Sequence, residues 1–259
     1  MPRKARETSN TKVYHIIWRG NDKQDIFLDN QDYKKFIKEL IHTKEKYHYQ
    51  LYAYCLMTNH IHLILFDKEN NFSKAMQSLA VSYSSYFRKK YDKVGHLFQN
   101  RFLSKCIQTR EYLIQLCRYI HQNPVKAKIA KVDEYRWSSY QEFIHKNKLV
   151  NTEIIMSMFG EAKQDAVKNF VEFHNIEKED DGDYDYIEYE MVNKVTDEQL
   201  KKLIEKVLKI DNVIEIKRYN ITTRNEKLRQ LKQIKGTSKA QIARVIGINR
   251  KIVERAMKE

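Results

Sequence analysis

Two histidines and a tyrosine stand where their spacing would let them do chemistry. The first run is Cys55-Leu-Met-Thr-Asn-His60-Ile-His62-Leu-Ile-Leu65. Side chains alternate along a strand, so His60 and His62 project from one face while Ile61 and Leu63 project from the other. Two imidazoles one strand repeat apart can grip a single divalent ion. Taken alone, such a pair in a strand is more often structural than ligating, and the apolar neighbours are what favour a positioned site. The second run is Arg118-Tyr119-Ile-His121-Gln-Asn123-Pro124-Val125. Tyr119 and Asn123, at i and i+4, share one face of a helix, where a phenol and an amide oxygen could address the same point in space. Pro124 is expected to end that helix. By itself this second pair also reads as a tyrosine packed on a sheet beside an asparagine that caps the helix end.

The elements that must hold these residues follow from hydrophobic period. VYHIIW at 13–18, LYAYCLM at 51–57, IHLILF at 61–66 and RFLSKCIQ at 101–108 read as strands, and 31–46, 72–91 and 111–122 read as helices. The order β-α-β-β-α-β matches a ferredoxin-like α+β fold, an antiparallel sheet with helices on one face, in which Thr58-Asn59 turns a hairpin. This domain is expected over 10–145, with a helical extension at 146–176.

Charge divides the chain more sharply than hydropathy does. The 259 residues carry 48 Lys+Arg against 34 Asp+Glu, a formal net charge of +14, which points to a polyanionic partner such as nucleic acid rather than to an acidic small molecule alone. Residues 177–190 hold eight acids and one Lys, and a linker or solvated loop is expected over 177–192. Residues 217–259 hold thirteen Lys/Arg and three Glu, within a basic helical module at 193–259. Three cysteines, Cys55, Cys106 and Cys117, lack CxxC spacing, which suits a reduced cytoplasmic protein. The longest apolar runs are strand-sized and MPRKARETSN has no apolar core, so neither a membrane span nor a signal peptide is expected.

Five motifs in order bring the chain close to a family. They are Arg19-Gly20-Asn21, Tyr54-Cys55-Leu56-Met57-Thr58-Asn59-His60-Ile61-His62-Leu63, Gly95-His96-Leu97-Phe98-Gln99-Asn100-Arg101-Phe102, Tyr119-Ile120-His121-Gln122-Asn123-Pro124-Val125-Lys126-Ala127 and Trp137-Ser138-Ser139-Tyr140. From about Tyr14 to Tyr140 the chain resembles the single-tyrosine HUH-type transposases, and within them the REP-associated tyrosine transposases. The resemblance implies a metal-dependent DNA endonuclease and strand transferase acting on single-stranded DNA near hairpins. His60 and His62 would hold a divalent metal with Asn123 as third ligand. Mg2+ or Mn2+ is what the family implies, although imidazoles also suit Zn2+ or Ni2+. Tyr119 would attack the scissile phosphorus, giving a 5′-phosphotyrosine link and a 3′-hydroxyl, and the retained bond energy would let a second 3′-hydroxyl rejoin strands. A free tyrosine, with a pKa of about 10, is mostly protonated at neutral pH. Metal proximity or a neighbour such as His121 or Lys126 must therefore assist.

Arg88, Lys89, Lys90 and Lys93 on the second helix, and Arg101, Lys105, Lys126, Lys128 and Lys131 around the third, form a candidate cradle for a hairpin stem and its single-stranded flank. Arg19 and Asn21 are candidate DNA contacts in the Arg-Gly-Asn loop. Tyr83, Tyr86, Phe87 and Tyr91 have helical spacing and read as core.

The tail reads as helix 226–234, a Gly-Thr-Ser break, helix 239–246, a Gly247-Ile248 turn and helix 250–257, with Thr237 or Ser238 and Asn249 as N-caps. This all-α helix-turn-helix pattern, at about 226–258, would offer Asn249, Arg250, Lys251 and Arg255 to the major groove of duplex DNA. A small helical hairpin is the plainer reading. Three functions fit different parts of the sequence: the nickase, a catalytically inactive DNA- or RNA-binding regulator, and a zinc hydrolase. The last lacks a carboxylate at motif spacing. Both a monomer and a homodimer fit, since family members use the tyrosine in cis or in trans.

Overall fold

The computed structural model describes residues 8–145, 148–176, 197–234 and 237–257. The acidic run at 177–192 lies outside the described residues, as do Gly236 and the first seven residues. The chain divides into two compact units, Met1–Asp181 and Gly182–Glu259.

The first unit begins β1 (Val13–Arg19), α1 (Asn30–Tyr47), β2 (Gln50–Leu56), β3 (His60–Phe66), α2 (Phe72–Tyr91), β4 (Leu103–Ile107) and α3 (Arg110–Lys126). It continues with α4 (Tyr140–Ile144), α5 (Glu153–Met156) and α6 (Lys163–Asn175). The four strands form one antiparallel sheet in the order β2-β3-β1-β4, the ferredoxin-like order expected from the sequence. Register fixes the two faces. Ile17 lies opposite His62 and Arg19 opposite His60, so His15, Ile17 and Arg19 share a face with both histidines. Tyr14 and Trp18 project from the other face, where Tyr14 stacks on Phe72 of α2 at 4.3 Å. That second face is covered by α1 and α2, and Tyr83 of α2 donates its hydroxyl proton to the Ile26 carbonyl at 2.5 Å.

The start of α1 is fixed by a capping box: Asp29 accepts from the Gln31 and Asp32 amides, and Asp32 accepts from the Asp29 amide. Asp32 is fully buried, so its charge needs partners, and it finds them in Lys90 at 2.8 Å, Tyr91 at 2.8 Å and Tyr86 at 3.0 Å. Lys90 also pairs with Asp29 at 2.7 Å, so its charge is spent tying α2 to α1 rather than cradling DNA. Tyr83 and Phe87 are core, as their spacing predicts.

Pro124 does not end α3, which runs on to Lys126. Near the last turn a proline forfeits only the bond to the carbonyl four residues back, and the Ala127 amide still donates to Asn123 and the Ile129 amide to Pro124.

The second unit comprises α7 (Asp197–Leu208), a 3-10 turn at Val213–Lys217, α8 (Ile221–Gln230) with a 3-10 turn at Leu231–Gln233, α9 (Lys239–Ile246) and α10 (Arg250–Ala256). The helix read at 226–234 thus starts earlier and tightens at its end. Leu200, Ile204, Leu228, Ile242, Ile246 and Val253 belong to a buried core of the unit's own. Ser238 caps α9 through the Gln241 amide at 3.1 Å and Asn249 caps α10 through the Lys251 amide at 2.9 Å. Gly247 turns between them at φ +73°, a conformation that glycine adopts without strain. Among the described residues, no helix is long and apolar enough to cross a membrane.

Candidate active site

The hairpin that carries His60 is closed by the Met57 amide on the His60 carbonyl at 2.9 Å. Its turn is gripped from outside, with Thr58 accepting from the Ile26 amide at 2.7 Å and Asn59 accepting from the Gly20 amide at 2.9 Å. Gly20 lets its own loop fold back on itself, because a Cβ there would stand 2.0 Å from the Gln24 carbonyl oxygen. The Gly95–Phe102 motif completes the loop: the Asn21 amide donates to Leu97, the Gln99 amide donates to Arg19, and Phe98 stacks on Trp18 at 5.1 Å. Two separated motifs thus form one framework around the end of β1 and the β2–β3 turn.

Within that framework the imidazoles are oriented through their Nδ1 atoms. His60 Nδ1 lies 2.7 Å from Asn59 Oδ1, and His62 Nδ1 lies 3.0 Å from Nε2 of His15 on β1. An Nδ1 held by a neighbour directs Nε2 at whatever the pair binds, which is how ligating histidines are commonly fixed. The rings of His60 and His62 stand 5.1 Å apart and nearly perpendicular. His15 was not singled out by sequence reasoning; the available signal was a polar residue inside the apolar run VYHIIW, two residues from the partner of His62.

α3 brings Tyr119 to the same face of the sheet, its ring 5.9 Å from that of His62 and edge-on to it. Asn123, one turn on, is buried and donates its side-chain amide to the Tyr119 carbonyl at 3.0 Å. Because the helix continues through Pro124, Lys126 lies two turns beyond Tyr119 on the same side, with Nζ 4.6 Å from the ring centroid. Tyr119 is only 2% exposed beneath this cover. His121 faces away, bonded to His174 and Ser139, so it cannot assist Tyr119.

The other candidate residues are distributed unevenly. Arg19 and Lys105 belong to the histidine face, Lys105 being paired with His15 across β1 and β4. Asn21 and Arg101 are exposed. Arg88 and Lys89 are exposed on α2, which covers the opposite face of the sheet, so the structure does not bring them to the histidines. In the second unit Asn249, Arg250 and Lys251 are exposed at the start of α10 and Arg255 is exposed in its last turn, and Arg250 pairs with Glu254 at 2.5 Å.

The Trp137–Tyr140 motif buttresses β2. Trp137 stacks on Tyr33 at 4.4 Å, and Ser139 Oγ accepts from the Tyr54 amide at 2.9 Å.

No curated protein matches the chain. Solved structures are similar over part of it, two of them as follows. A REP-associated tyrosine transposase bound to a REP hairpin is 17% identical, with 56% of this chain and 87% of that one covered and a TM-score of 0.48. A candidate transposase from Deinococcus radiodurans R1 is 16% identical, with 46% and 96% covered and a TM-score of 0.33. The family model described as transposase IS200-like matches residues 8–123, the stretch that contains β1, the His60–His62 pair, Tyr119 and Asn123. The first unit is thus similar to the IS200-like transposase family over residues 8–123, the stretch that carries all four strands of the sheet and the candidate site residues His60, His62, Tyr119 and Asn123.

Proposed function

We propose that this chain is a metal-dependent nickase and strand transferase for single-stranded DNA beside hairpins, working in DNA transposition or in the handling of repeated palindromes. The observation that carries the reading is Tyr119 set edge-on to His62 at 5.9 Å, on the face that also presents His60. Two imidazoles held by their Nδ1 atoms fit a divalent ion through Nε2, and the Asn123 amide oxygen would complete the set. Mg2+ or Mn2+ would supply charge stabilisation at the scissile phosphate.

The chain's own residues do the rest. Arg19 and Lys105, on the same face, would hold phosphates of the incoming strand. Lys126 covers the Tyr119 ring, so its side chain must swing aside as a phosphate enters, and its ammonium then favours the phenolate over the phenol. Tyr119 would lose its hydroxyl proton to solvent as its oxygen attacks phosphorus, the bond to the 3′-oxygen breaks, and the leaving alkoxide takes a proton from solvent to become a 3′-hydroxyl. The phosphodiester energy stays in the tyrosyl ester, so another 3′-hydroxyl can attack it and restore Tyr119. Asn21 and Arg101 extend the contact surface, and Arg88 and Lys89 would meet only a strand that wraps to the α2 side. Asn249, Arg250 and Lys251 would add duplex DNA binding through the second unit. A cytoplasmic location suits these partners.

The test is a denaturing gel of end-labelled hairpin oligonucleotides taken from beside the gene, incubated with Mg2+ or Mn2+. A covalent DNA adduct that forms with the unaltered chain and is abolished by chelation and by Tyr119→Phe is expected. Tight binding with no adduct on any such hairpin would instead favour an inactive DNA- or RNA-binding regulator.

A further inference from the structure

The back of α3 carries a second constellation. Cys117 and His121, at i and i+4, flank Tyr119 in sequence and therefore lie on the side of the helix turned away from it. There they meet His174 of α6. His121 Nδ1 is 3.1 Å from His174 Nε2 and 3.8 Å from Cys117 Sγ, and the three donor atoms all lie within 4.8 Å of one another. All three residues are buried.

We propose that Cys117, His121 and His174 form a binding site for a thiophilic divalent cation, zinc first, separate from the ion of the tyrosine site.

The two separations from His121 Nδ1, 3.1 Å and 3.8 Å, are close to those of a tetrahedral shell. Zinc–nitrogen bonds of about 2.0 Å and a zinc–sulfur bond of about 2.3 Å place neighbouring nitrogens about 3.3 Å apart and nitrogen and sulfur about 3.6 Å apart. The remaining nitrogens have the supports that ligating histidines use. His174 Nδ1 donates to the Phe170 carbonyl at 2.9 Å, which directs Nε2 at the cluster. His121 Nε2 lies 2.8 Å from Ser139 Oγ, itself bonded to the Tyr54 backbone. Burial holds both imidazoles in the neutral, ligating form: His121 is pushed well below the ordinary range, and His174 down to about 3. Burial pushes the Cys117 thiol up, so it stays protonated until a cation arrives. Binding then exchanges the S–H bond for a sulfur–metal bond and releases one proton. The proton on His121 Nδ1 moves to Nε2, where Ser139 Oγ accepts it.

A direct His121–His174 hydrogen bond would satisfy those two rings without any ion, but it gives no role to a thiol at the same point. A cleft of about 730 Å³ opens beside His174, lined also by Arg118, Gln122 and Tyr140. The thiolate sets this site apart in selectivity, since sulfur favours zinc over magnesium. Its effect is mechanical: it clamps α3, and with it Tyr119, to α6.

The test uses the full chain. Purified, dialysed against micromolar zinc and then against metal-free buffer, it is expected to retain one zinc by elemental analysis. Loaded with Co2+, it should give a thiolate-to-cobalt charge-transfer band. The double variant His60→Ala/His62→Ala should keep both signals, whereas Cys117→Ser should lose the band and His174→Gln the tight zinc. A chain retaining Cys117 alone, with Cys55→Ala and Cys106→Ser, should keep the band, which decides the matter if Cys117→Ser fails to fold. No retained zinc and no cobalt band in the unaltered chain, or signals that follow His60 and His62 instead, would overturn the proposal.

Discussion

At the scale of single residues, the site is defined less by His60 and His62 than by what holds them. The imidazole of His15 fixes His62 through Nδ1 at 3.0 Å. His15→Ala should therefore leave the sheet intact and raise the metal concentration for half-maximal adduct formation by about 10-fold or more; an unchanged metal titration would remove His15 from the site. Gly20 carries a different constraint. A Cβ 2.0 Å from the Gln24 carbonyl oxygen forces the loop apart, so Gly20→Ala should cost about 2 kcal/mol in a urea melt. The sequence displays the HxH pair and Tyr119 because their spacings are periodic. It hides His15, since only strand register brings a residue 47 positions away to His62. It hides the triad of Cys117, His121 and His174 for the same reason: two members share a helix, but the third comes from α6, and no local pattern links them.

At the scale of elements, hydrophobic pattern located the four described strands and both helices that cover the Tyr14–Trp18 face, because α1 and α2 each bury one face and expose the other, while β1, β2 and β3 are apolar runs buried along nearly their whole length. Element ends were less legible. α3 outruns Pro124 because a proline near the last turn costs one hydrogen bond, not a helix, and that extra turn puts Lys126 over Tyr119. Within the basic run on α2, Lys90 answers the buried Asp32 of α1, a pairing between elements that no local sequence pattern displays. Burial raises the Asp32 carboxyl, but the hydrogen bonds of Lys90, the Leu28 amide and Tyr91 outweigh it and hold it below the ordinary carboxylate range. A depressed carboxyl contributes stability that is present above its unfolded value, about 3.9, and is lost as pH falls through the lower folded value. The unfolded chain binds the extra proton in that window, so stability falls with pH there. Asp32→Asn should cost about 2 kcal/mol at neutral pH and flatten the acid limb of the stability profile below about pH 4. An acid limb unchanged by the substitution would show that the α1–α2 pairing draws nothing from this charge. In the second unit, Ser238→Ala should cost about 1 kcal/mol by removing the cap of α9, read as a lower thermal midpoint.

At the scale of the whole molecule, a net charge of +14 makes the proposed DNA binding one governed by phosphates. Affinity for single-stranded DNA should fall about 100-fold between about 50 mM and about 200 mM salt if about five phosphates are neutralised. An affinity that ignores salt in fluorescence anisotropy would contradict that picture. The strands, the site and the family match all lie in the first unit, whereas the second has its own core and its own exposed basic helix start. The central claim is covalent chemistry at one phenol among 17 tyrosines. The most direct measurement is mass spectrometry of a protease digest after reaction with a hairpin oligonucleotide and Mn2+. The account predicts a nucleotide mass on the peptide containing Tyr119 and on no other, and an adduct mapped to a different tyrosine would contradict it.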